Sequence, residues 1–115
     1  MNTTPTEYVE QVTLADYLAM KKYLFTAIPC GQRTSIGHAM KMKRMGVNRG
    51  CPDVLVVLPD RGLLFIEMKR LKGSKVYPEQ ELWWKELNKI PGVESIICHG
   101  AEAAIKYLEE LEKAL

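Results

Sequence analysis

Apolar residues recur at two different periods along the chain. Near the N-terminus Gln11, Leu14, Leu18, Leu24 and Phe25 fall at roughly helical spacing. Thr4-Pro5-Thr6-Glu7 supplies the start: Thr4 as N-cap, Pro5 in the first turn and Glu7 at the capping-box position. A long amphipathic helix is predicted there. The apolar piece LFTAIP follows as an edge strand before Pro29 and Gly31. In SIGHAMKMKRMG, the spacing of Ile36, Ala39, Met40 and Lys43 predicts a second helix that ends at Gly46. After the loop marked by Gly50 and Pro52 the period changes. Two apolar segments joined by a tight turn predict a β-hairpin with Val54, Val56, Leu58, Leu64 and Ile66 in the core.

The last third returns to mixed periods. KGSK reads as a turn, and Pro78 opens a helix, PEQELWWKELNKI, with Leu82, Trp83 and Leu87 on one side. Pro91-Gly92 breaks it. VESIIC is a strand, and AEAAIKYLEELEKAL is a closing amphipathic helix with Ala104, Ile105, Leu108 and Leu111 inward. Strand, helix, strand implies a right-handed parallel crossover beside the antiparallel hairpin. The expected fold is a small α/β sandwich: a mixed central sheet with flanking helices, formed as one domain over residues 1–115.

The hairpin register decides which side chains meet. A two-residue Asp60-Arg61 turn sets Asp53 opposite Met68, but Asp-Arg is a poor two-residue hairpin loop. A three-residue loop, Asp60-Arg61-Gly62, sets Asp53 opposite Lys69 and Leu55 opposite Glu67, with Gly62 in the left-handed position. This second register is the expected one. It gathers Asp53, Glu67 and Lys69 on one face at one end of the sheet. Glu67 and Lys69 then lie about 6.6 Å apart along the strand, at ~3.3 Å per residue.

Two acids flanked by buried aliphatics are costly unless something compensates. An Asp53–Lys69 salt bridge with Glu67 at a frayed strand end is one compensation, and a divalent cation is the other. Hard oxygen ligands suit Mg2+ or Mn2+, which bind phosphate oxygens and polarise a phosphoryl group. Lys69 would orient water or offset transition-state charge. Spacing alone leaves both open.

Composition changes this picture in one respect. Net charge is only +2, yet residues 21–50 hold seven basic residues and no acid, while the first twenty residues carry a charge of −3. Such segregation suits a polyanionic partner, although a solvated basic face has the same pattern. Cys30, Cys51 and Cys98 have neither disulfide nor zinc spacing and read as reduced thiols. No apolar run reaches the roughly 18 residues of a membrane span, and the N-terminus lacks a signal-peptide pattern. A cytoplasmic protein is expected. His38 and His99 read as surface or structural residues, and Met40, Met42 and Met45 as core or interface filler. Trp83 fits the core, with Trp84 exposed. Cys51, beside Asp53, reads as an inert small residue.

Pro52-Asp53 and Glu67-Met68-Lys69 resemble the PD…(D/E)xK nuclease superfamily. The chain is similar, over nearly its whole length, to one branch: the VRR-Nuc domains of the stand-alone phage and bacterial type. The matching residues come in order: Glu7 with Gln11, Gly31-Gln32-Arg33, Lys43 with Gly46, Gly50-Cys51-Pro52-Asp53, Glu67-Met68-Lys69, Gln80 with Trp83, and Leu87. Two departures stand out. Cys30 replaces a frequent Asn, and Tyr77 replaces a frequent Ser or similar cap before the Gln-bearing helix.

The resemblance implies a restriction-endonuclease-like fold and a metal-dependent endonuclease hydrolysing DNA, often branched or junction DNA as in repair. Under it Asp53 and Glu67 are metal ligands, Lys69 is the catalytic lysine and Gln80 lines the active site. Glu7 approaches the metal from the first helix, with Glu10 as the alternative. Arg33, Lys41, Lys43, Arg44 and Arg49 then become DNA phosphate contacts. A domain this small covers one active site, so cutting two strands calls for a homodimer. The expected setting is the cytoplasm, that of the host for a viral member. The rival readings are a repair exonuclease or restriction-like nuclease on the same fold, and a catalytically idle DNA-binding subunit.

Overall fold

The computed structural model describes residues 4–29 and 35–114. Its elements follow the order α1 (Glu7–Met20), β1 (Leu24–Ala27), α2 (Ile36–Arg44), β2 (Val54–Leu58), β3 (Gly62–Lys69), α3 (Pro78–Leu87), β4 (Val93–His99) and α4 (Ala101–Lys113). The four strands form one sheet in the order β1-β2-β3-β4. β1, β2 and β3 pair antiparallel, and β4 joins β3 in parallel across α3. The mixed sheet expected from the sequence is therefore present.

Alternation along β2 and β3 divides the sheet into two faces. One face carries Val54, Val56, Leu58, Leu64, Ile66 and Met68, all buried. Leu14 and Leu18 of α1 and Ala101, Ala104 and Leu108 of α4 complete the cluster. Glu112 ties the far ends of these helices together: it accepts from the hydroxyls of Tyr17 and Tyr23 and pairs with Lys21 at 3.4 Å. The other face carries Leu55, Val57, Leu63 and Phe65, which are only half-buried. α3 lies over it beside β4, where Asn88 exchanges hydrogen bonds of 2.9 and 3.0 Å with the Ser95 backbone.

Three local expectations are corrected. The first helix is capped by Thr6, whose Oγ1 accepts from the Val9 N–H at 3.2 Å, in place of Thr4. It stops at Met20, short of Leu24, because Lys22 takes a left-handed backbone (φ 63) that turns the chain into β1. Leu82, grouped with Trp83 and Leu87 on one side of α3, is 60% exposed while those two are half-buried.

The hairpin register differs from the expected one. Leu58 pairs with Gly62 and Val54 with Ile66, so the loop is Pro59-Asp60-Arg61. Asp60, rather than Gly62, takes the left-handed position at φ 60. Gly62 is required by a tertiary contact: a Cβ there would lie 1.8 Å from the Gly92 carbonyl oxygen. That oxygen accepts from the Leu63 N–H at 2.9 Å, which fastens the start of β3 to β4. Relative to expectation the pairing slides by two residues, so side chains keep their faces but change partners. Asp53 now has Glu67, in place of Lys69, as its side-chain neighbour on β3.

Candidate active site

Asp53, Glu67 and Lys69 share the half-covered face at one end of the sheet. Asp53 immediately precedes β2, and its N–H donates to the Ile66 carbonyl at 3.1 Å, so that Asp53 and Val54 both lie against Ile66. Its Oδ2 accepts from the Met68 N–H at 2.7 Å. One carboxylate oxygen is thus fixed by the backbone of the neighbouring strand. Glu67 is 5% exposed and Lys69 4%.

The two acids act on each other. Burial, then the Asp53 charge and a hydrogen bond donated to Asp53, push the Glu67 carboxyl from 4.5 up to about 9. Lys69 lowers it less than these raise it. The Glu67 carboxyl therefore keeps its proton well above the usual carboxylate range. Among the described residues Lys69 makes no ion pair within 4.0 Å. The Asp53–Lys69 salt bridge left open by spacing is not formed; the Lys69 Nζ lies 5.5 Å from the centroid of the Tyr77 ring.

α3 supplies the third wall. Gln80 donates from Nε2 to Glu67 Oε2 at 3.2 Å, while its Oε1 accepts from the Tyr77 N–H at 3.0 Å. Tyr77 is the N-cap residue of this helix. A phenol cannot fold back to cap as a Ser would, so the reciprocal bond from Gln80 holds the helix start. α3 is in turn docked on the segment before Asp53. A Cβ on Gly50 would lie 2.6 Å from the Glu79 carbonyl oxygen, so only glycine lets the two backbones approach. Asn48 Oδ1 accepts from the Gly50 N–H at 3.0 Å and from Trp83 Nε1 at 3.3 Å. Asn48 was not singled out from the sequence. Its Asn-x-Gly spacing, with the side chain bonding the backbone two residues on, is the signal that marks it.

The two first-helix acids have different duties. Glu10 is 8% exposed and its Oε1 accepts from the Ala101 N–H at 2.9 Å, capping the N-terminus of α4. Glu7 is exposed, and its charge contributes to raising the Glu67 carboxyl. Of the two, only Glu7 has a charge that acts on Glu67, while the Glu10 carboxylate is engaged by α4. Among the described residues, however, no three His, Cys, Asp or Glu side chains converge closely enough to hold a metal ion. The acids that come together are Asp53 and Glu67, with Glu7 acting at longer range.

Lys41, Lys43, Arg44 and Arg49 are all exposed, on α2 and on the loop that leads to Asp53. Ser35 caps α2, accepting from the His38 N–H at 3.1 Å. Lys41, Lys43 and Arg44 occupy its last turn, where cations complement the helix dipole. α2 buries none of its residues, so Met40 (64% exposed) and Met45 (78%) are not core filler. Arg33, with Cys30 and the Gly31-Gln32-Arg33 motif, lies outside the described residues. No helix among the described residues is long and apolar enough to cross a membrane.

The family model described as the VRR-NUC domain matches residues 5–102. Two solved structures share the fold. One, described as a VRR_NUC domain protein, has a TM-score of 0.76 at 23% identity, covering 95% of this chain and 89% of its own. The other, described as a VRR_NUC domain, has a TM-score of 0.63 at 20% identity, covering 91% of this chain and 97% of its own. No curated protein matches the sequence.

Proposed function

The chain belongs to the VRR-NUC domain family, a nuclease-related family, and from that premise we propose that it is a Mg2+- or Mn2+-dependent deoxyribonuclease. One observation carries the reading: Asp53, fixed by the Met68 N–H, and Glu67, held by Gln80, lie together on the half-covered face, close enough that the Asp53 charge adds to burial in disfavouring the Glu67 carboxylate. A hard dication fits this donor set, because it offsets the repulsion between the two carboxylates. When bound, such an ion supplies Lewis-acid polarisation of the phosphoryl group and brings water acidity toward neutral pH.

The chain's own residues do the rest. The Met68 N–H fixes Asp53 and leaves its second oxygen available. Gln80 orients Glu67 through a hydrogen bond to one oxygen. Lys69, charged and without a carboxylate partner within 4.0 Å among the described residues, offsets negative charge at the reacting phosphodiester. The exposed cations Lys41, Lys43, Arg44 and Arg49 hold flanking phosphates without reading sequence, with Arg33 joining them. Glu7 approaches the ion from α1.

The preferred substrate in this reading is branched DNA, gripped by a homodimer. α2 supports the dimer: Ile36 and Met40, one turn apart, are 82% and 64% exposed on a helix that buries nothing of itself. Labelled duplex, flap, fork, four-way junction and single-stranded DNA, each with Mg2+, Mn2+ or chelator, test the proposal. Cleavage that requires the ion and favours a branched substrate is expected. Binding without cleavage of any substrate would support the idle-subunit reading instead, and cleavage indifferent to chelator would exclude the metal.

A further inference from the structure

The residue that departs from the family's usual cap, Tyr77, touches both parts of the site that α3 does not otherwise join. Its backbone N–H is bonded by Gln80, the residue that holds Glu67. Its ring lies 5.5 Å from the Lys69 Nζ and 5.3 Å from the Lys75 Nζ, measured to the centroid. Both distances are within the ~6 Å at which a ring face attracts a cation. Neither lysine makes an ion pair within 4.0 Å among the described residues.

The choice of partner has a chemical consequence. A carboxylate would hold a lysine in place but neutralise it and occupy its donors. An aromatic face holds the ammonium by its quadrupole and leaves both charge and N–H donors free for an incoming anion. Bringing two ammonium groups to one ring also concentrates positive charge there, which suits an incoming phosphodiester. Tyr77 as a residue is 47% exposed, so it stands at the surface where a ligand can reach it.

We propose that Tyr77 is a positioning residue of the phosphodiesterase site, its ring holding Lys69 toward the reacting phosphate and Lys75 as a second cation for a neighbouring phosphate of the same strand. The inference rests on the nuclease reading above. It assigns two residues that neither the motif nor the basic block singles out.

The test replaces Tyr77 by phenylalanines of increasing ring fluorination, which keep the shape and drain the π-face. Tyr77→Phe retains kcat within about twofold, and kcat then falls stepwise to a loss of about tenfold, or ~1.4 kcal/mol, at full fluorination, with the melting temperature unchanged. Tyr77→Leu matches the fluorinated end of the series. Lys75→Met raises KM for DNA and leaves kcat in place. A kcat flat across the series, or Tyr77→Phe as impaired as Tyr77→Leu, overturns the positioning role; an unchanged KM in Lys75→Met removes the second cation. A readout independent of activity separates this inference from the nuclease reading. The Lys69 Hε resonances are shifted upfield by the ring in the wild type and in Tyr77→Phe, and their lying at ordinary values overturns the proposal even if DNA is cut.

Discussion

The two faces of the sheet obey opposite rules. On the face toward α1 and α4, six strand residues from Val54 to Met68 are buried and apolar, and the helices close over them. On the face toward α3, Leu55, Val57, Leu63 and Phe65 are half-covered, and the same strands end in Asp53, Glu67 and Lys69. Alternation along one backbone makes this possible, because neighbouring residues on β3 serve different faces. Met68 fills the core while its own N–H fixes the Asp53 carboxylate on the other side. The packed face gives the strands rigidity, and the open face spends that rigidity on holding two acids together.

Substitutions on the two faces break the comparison most sharply. Asp53→Asn, Glu67→Gln and Lys69→Ala are expected to reduce cleavage by about 10²–10⁴-fold while the protein stays folded. Leu64→Ala or Ile66→Ala is expected to cost about 2–5 kcal/mol of stability, with the folded fraction still cutting DNA. Urea unfolding beside single-turnover cleavage measures both. Site variants that unfold the chain, or that cut normally, would erase the division.

Part of this division was legible in the sequence, and the reason is parity. Asp53, Glu67 and Lys69 share a face in any register that differs by two residues, so the face survives an error that the pairing does not. Pairing turned on which residue takes the left-handed position. A local rule gives it to Gly62, but Gly62 is needed where it presses on Gly92, and Asp60 takes the turn. Glu7 and Glu10 could not be told apart by helix spacing, since the difference lies in where the N-terminus of α4 arrives. The Lys69–Tyr77–Lys75 cluster was invisible because the irregular segment after β3 has to bring Tyr77 back to Lys69. For α2, the apolar positions mark an amphipathic helix without saying whether the chain itself covers it.

A pH series sharpens the comparison next. The folded Glu67 carboxyl is raised from 4.5 to about 9, so the folded protein keeps a proton that the unfolded chain releases. Its contribution to stability is full below about 4.5 and is lost as pH rises through about 9. In metal-free protein, wild type is therefore expected to lose stability relative to Glu67→Gln across that window. Parallel melting curves for the two proteins would contradict the acid-pair description. Ile66→Ala on the packed face should lower stability by a pH-independent amount.

The smallest expected effect concerns the basic residues beyond the sheet. With Ca2+ in place of Mg2+, four phosphate contacts from Lys41, Lys43, Arg44 and Arg49 predict a log–log salt slope of about −3.6 for duplex DNA. The double substitution of Lys43 and Arg44 by Glu should flatten the slope and weaken all sequences alike. A slope near zero would assign DNA binding to another surface.

Calorimetric titration of the metal-free protein with Mn2+ at neutral pH, in two buffers of different ionisation enthalpy, tests the central claim most directly. The account predicts saturable binding with release of close to one proton from the acid pair, and loss of both in Asp53→Asn. It also predicts that Glu67→Gln binds weakly with no proton released. Binding that survives unchanged in both variants, or no heat from the wild type at millimolar Mn2+, would contradict it.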